Sequence, residues 1–319
     1  MTSLSLPPTT LTARSPEDLL AVARVVLGFD PDDSVVMLTF GGPGPFHARV
    51  DLPPPRCAAD ELALLADTLL RPALRHRVEA TVLLVFGDDD RTARRAVRAV
   101  TRSLEGAGIA CLEAIRAHAG RWHPLHGRLR GAGSAGVTYD VTAHPFVVDA
   151  VLRGRVIHGS RAELAATLDA DPELSAAVTR CRPAAAASPE WAAATARHHA
   201  LAGTVPPAPE AARLLEAVAE QSVRDAVWGD VERGEARHHV ELWSALVRRA
   251  PDDLVAHAAA VLAFVAWLSG DGALAWCGVD RARAACPDHS LAALVASALE
   301  GAVPPSSWDD VGAGVDPAS

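Results

Sequence analysis

The chain has 319 residues, a formal charge of −9 and an apolar fraction of 50%. This length and composition predict a folded protein with one large domain or two ordinary ones. All 30 basic residues are arginine, since the sequence contains no lysine, which excludes Schiff-base, phosphate-loop and kinase lysines. The net negative charge disfavours nonspecific nucleic-acid binding, so we expect no nucleic-acid partner.

The cysteine pattern and the hydropathy indicate where the protein acts. Five cysteines are widely separated and form no CxxC pair, which is typical of a reducing compartment. The amino-terminal residues lack the basic segment and apolar core of a secretory signal. The most apolar stretch, 258–268, is shorter than the roughly 18 residues of a membrane span. We therefore expect a cytoplasmic protein without a membrane partner.

The first predicted element is a helix from Ser15 to about Leu27, with Gly28 as its stop. Ser15 can cap free backbone amides, the following proline is tolerated in the first turn, and glycine favours helix termination. Two β-rich runs then follow at 34–40 and 46–52, separated by a turn rich in glycine and proline. These runs predict an antiparallel hairpin.

The next elements alternate between helix and strand. The patterns predict a helix at 57–75, a strand at 78–86, a helix at 91–105 and a strand at 109–115. Strand, helix and strand in this order predict a parallel crossover. The fold class predicted for the amino-terminal part is therefore an α/β domain with a mixed sheet, an antiparallel hairpin and parallel crossovers.

Strand signals nearly vanish after Pro145, and alanine-rich segments predict an all-α carboxyl-terminal region. The predicted divisions are an α/β domain at 1–145, a helical connection at 146–201, a linker at 202–209, an all-helical region at 210–308 and a disordered tail at 309–319.

Two similar phrases in the helical region contain Pro251 and Pro287, which are 36 residues apart. That spacing is close to the period of a tetratricopeptide helix pair, about 34 residues. The region is interpreted either as tetratricopeptide-like helical repeats or as a generic helical bundle.

The predicted helix 91–105 carries a series of arginines at spacings of three and four. They are Arg91, Arg94, Arg95, Arg98 and Arg102. The series lines one helix face with positive charge, for which a solvated surface is the favoured interpretation and a local binding patch the alternative.

The hairpin predicts a polar cluster at its open end. Folding the strands together brings Asp33 and Ser34 close to Asp51, and Arg49 shares the face of Asp51. Arg14, which precedes the first helix, can reach the same edge. These five residues are candidates for ligand binding, with arginines for an anionic group or carboxylates for a cation. The favoured alternative is a structural ion-pair network that ties the first helix to the hairpin.

Three consecutive carboxylates, Asp88, Asp89 and Asp90, follow the end of a predicted parallel strand. Open α/β sheets commonly bind ligands at this edge, and carboxylates can hold Mg²⁺ with a substrate phosphate. Asp90 is also a suitable cap for the next helix. A magnesium site is thus one hypothesis, and helix capping is the favoured one.

Several blocks of the sequence resemble an uncharacterised actinobacterial family, domain of unknown function 4192. These blocks are RSPEDLL at 14–20, LGFDPDDS at 27–34, RVDLP at 49–53, GRW at 120–122, AFVAWLSGDGA at 263–273 and VPPSSW at 303–308. The resemblance covers nearly the whole chain and implies a lineage without an activity.

The leading functional hypothesis is a binding or regulatory protein that uses helical pairs for a protein partner. The alternative is a magnesium-dependent hydrolase of a phosphorylated small molecule, acting at Asp88, Asp89 and Asp90. The sequence predicts neither a catalytic residue set nor a cofactor, and leaves open whether the protein is an enzyme.

Overall fold

A computed structural model describes residues 12–42, 46–127, 135–183 and 187–312. The backbone contacts divide the chain into two compact units, Met1–Ser160 and Arg161–Ser319. The first contains a mixed sheet with helices and the second is helical, so the predicted fold class is confirmed. No described helix combines the length and the apolar character needed to cross a bilayer.

The sheet of the first unit has the strand order β2-β1-β3-β4-β5-β6. Its strands are β1 (Ser34–Phe40), β2 (His47–Asp51), β3 (Ala80–Phe86), β4 (Ala110–His118), β5 (Arg121–Gly127) and β6 (Val137–Thr138). β1 and β2 form the predicted antiparallel hairpin, with Ser34 opposite Asp51. β3 and β4 are parallel, as the crossover predicts, and the remaining neighbours are antiparallel.

Helices cover both faces of this sheet. They are α1 (Pro16–Leu27), α2 (Ala59–Arg75), α3 (Asp90–Gly106) and α4 (Pro145–Leu152). α2 and α3 pack on a core that includes Met37, Leu83 and Ala114. α1 packs on the opposite face, and α4 lies against the outer side of α1. Because side chains alternate along each strand, they pack into two separate apolar layers, one on each face of the sheet.

The first helix has the ends that its sequence predicts. The Ser15 hydroxyl accepts a hydrogen bond from the Asp18 backbone, and the Asp18 carboxylate accepts one from the Ser15 backbone. Gly28 has a φ of 73°, a left-handed conformation that glycine adopts without steric cost. Both ends thus depend on interactions within a few residues.

Strand β5 was not predicted, because its sequence lacks the regular alternation of a half-buried strand. Pro124 lies at a register shift between β4 and β5. Ala114 of β4 is paired with His126, whereas the next residue of β4, Ile115, is paired with Pro124. A proline cannot donate to a strand ladder, and a bulge is one of the few positions that accept it.

The regular elements in the described part of the second unit are all helices. They are α5 (Arg161–Ala166), α6 (Pro172–Arg180), α7 (Pro189–Ala202), α8 (Ala208–Ala217), α9 (Gln221–Gly229), α10 (Ala236–Arg249), α11 (Val255–Leu268), α12 (Gly272–Ala285), α13 (Ser290–Glu300) and α14 (Ser307–Gly312). Every residue of α11 except His257 is buried. A helix that is apolar on all sides lies at the centre of a bundle, here among α9, α10, α12 and α13.

Residues 202–209, predicted as a linker, run from the end of α7 to the start of α8 within the second unit. The predicted domain bounds as a set stay predictions. Of the predicted disordered tail, residues 313–319 lie outside the described residues, whereas 309–312 belong to α14.

Candidate functional site

A cleft of about 640 Å³ lies between α3 and β5 on one side of the sheet. We call it the arginine cleft. Its lining residues are Arg94, Val97, Arg98, Thr101, Arg102, Glu105, Gly106, Leu125 and His126. The volume falls within the range of about 300–1,000 Å³ that is usual for small-molecule sites.

The amphipathic sequence of α3 places arginines along one wall of this cleft. Arg94, Arg98 and Arg102 recur every fourth residue, so their side chains share one face of the helix. The residues that anchor α3 in the core, such as Val100 and Leu104, are buried. Core packing therefore fixes the helix, and the arginine row faces outward over the cleft.

Two of the three guanidiniums have no acidic partner among the described residues. Arg94 Nε lies 2.7 Å from Asp90 Oδ2. Arg98 and Arg102 are exposed, and neither makes a hydrogen bond or an ion pair with a described residue. A guanidinium carries five N–H donors and no acceptor. Arg98 and Arg102 therefore retain their donors for a ligand.

The opposite wall comes from β5. The register shift at Pro124 pairs His126 with Ala114, which belongs to the core beneath α2 and α3. Paired residues of an antiparallel ladder share a face, so the bulge directs His126 toward α3. Leu125 packs against the same core and also lines the cleft.

Further positive charge lies near the amino end of α3. Arg116 of β4 lies 3.4 Å from the Asp90 carboxylate and donates to the backbone carbonyls of Gly87 and Asp88. His123 is paired with Arg116 across β4 and β5. Partial burial and the positive charge of Arg116, with smaller effects from other arginines, lower the pKa of His123.

The remaining arginines of the series have other roles. Arg95 Nη2 donates to the carbonyl oxygen of Cys57 at 2.9 Å, which ties α3 to the residues that precede α2. Arg91 is exposed and does not line the cleft. The five arginines, interpreted from the sequence mainly as a solvated face, thus divide between a cleft wall, a structural tie and the surface.

Four of the five predicted hairpin residues lie at the same end of the hairpin, namely Asp33, Ser34, Arg49 and Asp51. Arg49 Nη1 lies 2.6 Å from Asp51 Oδ1, and Asp51 is paired with Ser34 across the hairpin. Arg49 also donates to the backbone carbonyl of Asp32. Ser34 is fully buried, and its hydroxyl has no hydrogen-bond partner among the described residues. The ion pair thus lies at the open end of the hairpin.

Asp33 lies beside the Arg49–Asp51 pair, whereas the described contacts of Arg14 are with α1. Asp33 has a φ of 37°, and its backbone carbonyl accepts a hydrogen bond from Leu52. The backbone N–H of Arg14 donates to the Asp18 carboxylate at 2.6 Å. In the same helix, Glu17 accepts a hydrogen bond from Trp122 of β5, and two strands separate β5 from β1. The described contacts of Arg14 therefore join it to α1 rather than to the Arg49–Asp51 pair.

The amino-terminal cap of α3 is Asp89, whereas Asp90, which the sequence predicted as the cap, is the first residue of the helix. The Asp89 carboxylate accepts hydrogen bonds from the backbone N–H groups of Arg91 and Thr92 and from the Thr92 hydroxyl. The Thr92 hydroxyl contributes most to lowering the pKa of Asp89. Asp90 pairs with arginines, as described above. The described residues contain no group of three side chains arranged to hold a metal ion.

The sequence carried one signal for the arginine cleft, namely the spacing of arginines in α3. Leu125 and His126 were not among the predicted site residues. Their contribution depends on β5, which the sequence pattern did not predict, and on the bulge that sets its register.

The fold and the cleft define an α/β unit with an arginine-lined cavity, followed by a helical unit. The chain belongs to the family described as a domain of unknown function (DUF4192), whose sequence model matches residues 16–306. The family resemblance is therefore confirmed, while an actinobacterial origin stays a prediction. Neither the curated proteins nor the solved structures include a match to this chain.

Proposed function

We propose that this chain is a binding protein whose α/β unit holds an anionic ligand in the arginine cleft. One observation carries the proposal: Arg98 and Arg102 both line a cavity of about 640 Å³, and neither has an acidic partner among the described residues. Guanidinium groups bind phosphate and carboxylate through paired N–H donors.

The helical unit is proposed to supply the surface for a protein partner, which gives the protein a regulatory role. α10 and α12 begin at Ala236 and Gly272, thirty-six residues apart, and each is followed by a second helix that packs on it. This arrangement supports a proposal of helical repeats, because stacked helix pairs of this kind present extended binding surfaces. The five cysteines without disulfide bonds support a proposed cytoplasmic location.

Thermal unfolding in the presence of anions tests the arginine cleft. A ligand that binds the folded state raises its stability. We expect pyrophosphate or citrate, added to protein dialysed free of metal ions and chelator, to raise the Tm of the wild-type protein. The double variant Arg98→Gln/Arg102→Gln should lose this increase. The proposal fails if no anion raises the Tm, or if the double variant responds as the wild type does.

The matched control is Arg71→Gln in α2. Arg71 forms an exposed ion pair with Asp67 and does not line the cleft. Its replacement by glutamine removes one positive charge, as each of the two cleft substitutions does. This control should retain the full response. The alternative proposal, a magnesium-dependent hydrolase at Asp88–Asp90, requires instead a response that appears only with Mg²⁺ and is lost in Asp88→Ala.

A further inference from the structure

We propose that the ligand of the arginine cleft is a nucleoside di- or triphosphate, bound without a metal ion through its phosphate chain. This inference rests on the proposed anion site and specifies its ligand class. Three features of the lining carry it: the row of guanidiniums, an apolar side chain across from that row, and one carboxylate at the far end.

The row of guanidiniums is suited to several linked phosphates. An α-helix rises about 1.5 Å per residue, so Arg98 and Arg102 lie about 6 Å apart along its axis, and Arg94, which is paired with Asp90, lies about 6 Å before Arg98. A single carboxylate or sulfate occupies only one such interval. A phosphate chain distributes its charge over several, and each guanidinium can bind phosphate oxygens through two parallel N–H donors.

The apolar part of the cleft is suited to a planar ring. Leu125 of β5 supplies an apolar side chain to the lining, whereas Val97 borders the cleft from the core and is only 4% exposed. Leu125 is held by the core beneath α3, so its position is fixed before a ligand binds. Ligand sites combine apolar walls with a few placed polar groups, and here Leu125 lies across the cleft from the cationic row. An inorganic anion alone leaves this surface unused.

Glu105 determines which way a nucleotide is oriented in the cleft. It lies three residues beyond Arg102, at the carboxyl end of α3. A carboxylate repels phosphate but accepts hydrogen bonds from hydroxyl groups. The phosphate chain therefore lies along the arginines, and the sugar hydroxyls lie toward Glu105.

A mononucleotide fits this site better than a nucleic-acid strand. The cavity has the volume of a small-molecule site, and the chain carries a formal charge of −9. A negative protein repels a long polyanion outside any local basic patch. A single nucleotide places its few charges within that patch.

Isothermal titration calorimetry with metal-free protein and chelator-free buffer tests the inference with ATP, inorganic tripolyphosphate and adenosine as separate probes. We expect ATP to bind at least about tenfold more tightly than tripolyphosphate, and adenosine not to bind. Arg98→Gln and Arg102→Gln should each lower the affinity for ATP and for tripolyphosphate about tenfold, which corresponds to the loss of charged hydrogen bonds. Arg71→Gln should leave both affinities unchanged.

Leu125→Ser distinguishes the contribution of the ring to binding from that of the phosphates. The affinity for ATP should fall about fivefold or more, because the apolar contact with the ring is lost. The affinity for tripolyphosphate should not change. Unchanged tripolyphosphate binding also shows that the variant is folded.

The outcomes distinguish this inference from the proposed function. Equal affinities for ATP and tripolyphosphate overturn the nucleotide inference and leave the anion site in place. Binding of neither probe, together with a negative anion screen, overturns both. A short oligothymidylate that binds more tightly than ATP contradicts the mononucleotide and indicates a nucleic-acid strand.

Discussion

His257 Nδ1 lies 3.0 Å from His289 Nε2 in the helical unit, and Arg224 Nη1 lies 3.5 Å from the same Nδ1 atom. The backbone N–H of Ala292 donates to His289 Nδ1, so the ring proton of His289 is on Nε2. His289 therefore donates to His257 Nδ1. Both rings are neutral in this arrangement, because a proton on either Nδ1 atom opposes a donor that already points at it.

The stability of the helical unit is predicted to fall as the pH falls from about 6.5 to 4. Burial lowers the pKa of His257, and it lowers the pKa of His289 and His239 to about 4. The unfolded chain titrates near 6.5 and takes up protons first, so the folded state loses stability through this interval. We expect a loss of about 2 kcal/mol at pH 5 for each histidine with a pKa near 4.

Urea unfolding between pH 7.5 and 4.5 measures this dependence, and His289→Asn provides the comparison. Asparagine can still cap the amino end of α13, but it does not titrate. The variant should show a shallower decrease of stability with falling pH. An identical pH dependence in both proteins contradicts the assigned role of His289.

Asp89 is predicted to stabilise the fold as a helix cap. Asp89→Ala removes the acceptor of two backbone N–H groups and the Thr92 hydroxyl, so the Tm should fall by several degrees. Asp89→Asn should restore most of the loss, because asparagine is also a preferred cap. A Tm of Asp89→Ala equal to that of the wild type contradicts the cap, and a Tm increase with Mg²⁺ that needs Asp89 supports the metal alternative.

Gly278 is predicted to be required for the close approach of α12 to α11. A Cβ atom at this position would lie 3.0 Å from the Ala259 carbonyl oxygen and from Ala263. Gly278→Leu should therefore destabilise the protein by about 1–3 kcal/mol through overpacking. Denaturant unfolding measures this change.

Gly229→Ala shows how the protein responds to a side chain at a helical glycine with free space around it. Gly229 is the last residue of α9, and a Cβ atom there meets nothing within 4 Å. Alanine should be neutral or stabilise by up to about 1 kcal/mol, because it favours helix more than glycine does. If Gly278→Leu is equally well tolerated, the helices are not packed as closely as described.

The Arg49–Asp51 pair is predicted to contribute little to stability. The Asp51 side chain is 83% exposed, and exposed ion pairs typically contribute less than about 1 kcal/mol. Asp51→Ala should therefore change the free energy of unfolding by less than that amount. A large loss in a urea titration supports the structural ion-pair network instead, whereas a lost response to an added anion supports the predicted hairpin pocket.

The sequence alone predicted those elements whose signals are local. The Ser15 cap of α1 and its Gly28 stop depend on residues within one helical turn, and the structure has both. The alternation in β2 and the turn before it predicted the hairpin, because a short connection leaves few ways for two neighbouring strands to pair.

Only the tertiary structure decided which charged residues form a cleft. The arginine spacing in α3 was visible in the sequence, but a row of arginines on a helix is compatible with an open solvated face. The cleft exists because β5 pairs with β4 and a bulge at Pro124 brings Leu125 and His126 beside α3. That contact joins residues far apart in the chain and depends on strand register. A slip of one residue in the register would turn each side chain of the strand to the opposite face of the sheet. Local sequence preferences fixed the helix, and long-range strand pairing made one side of it a site.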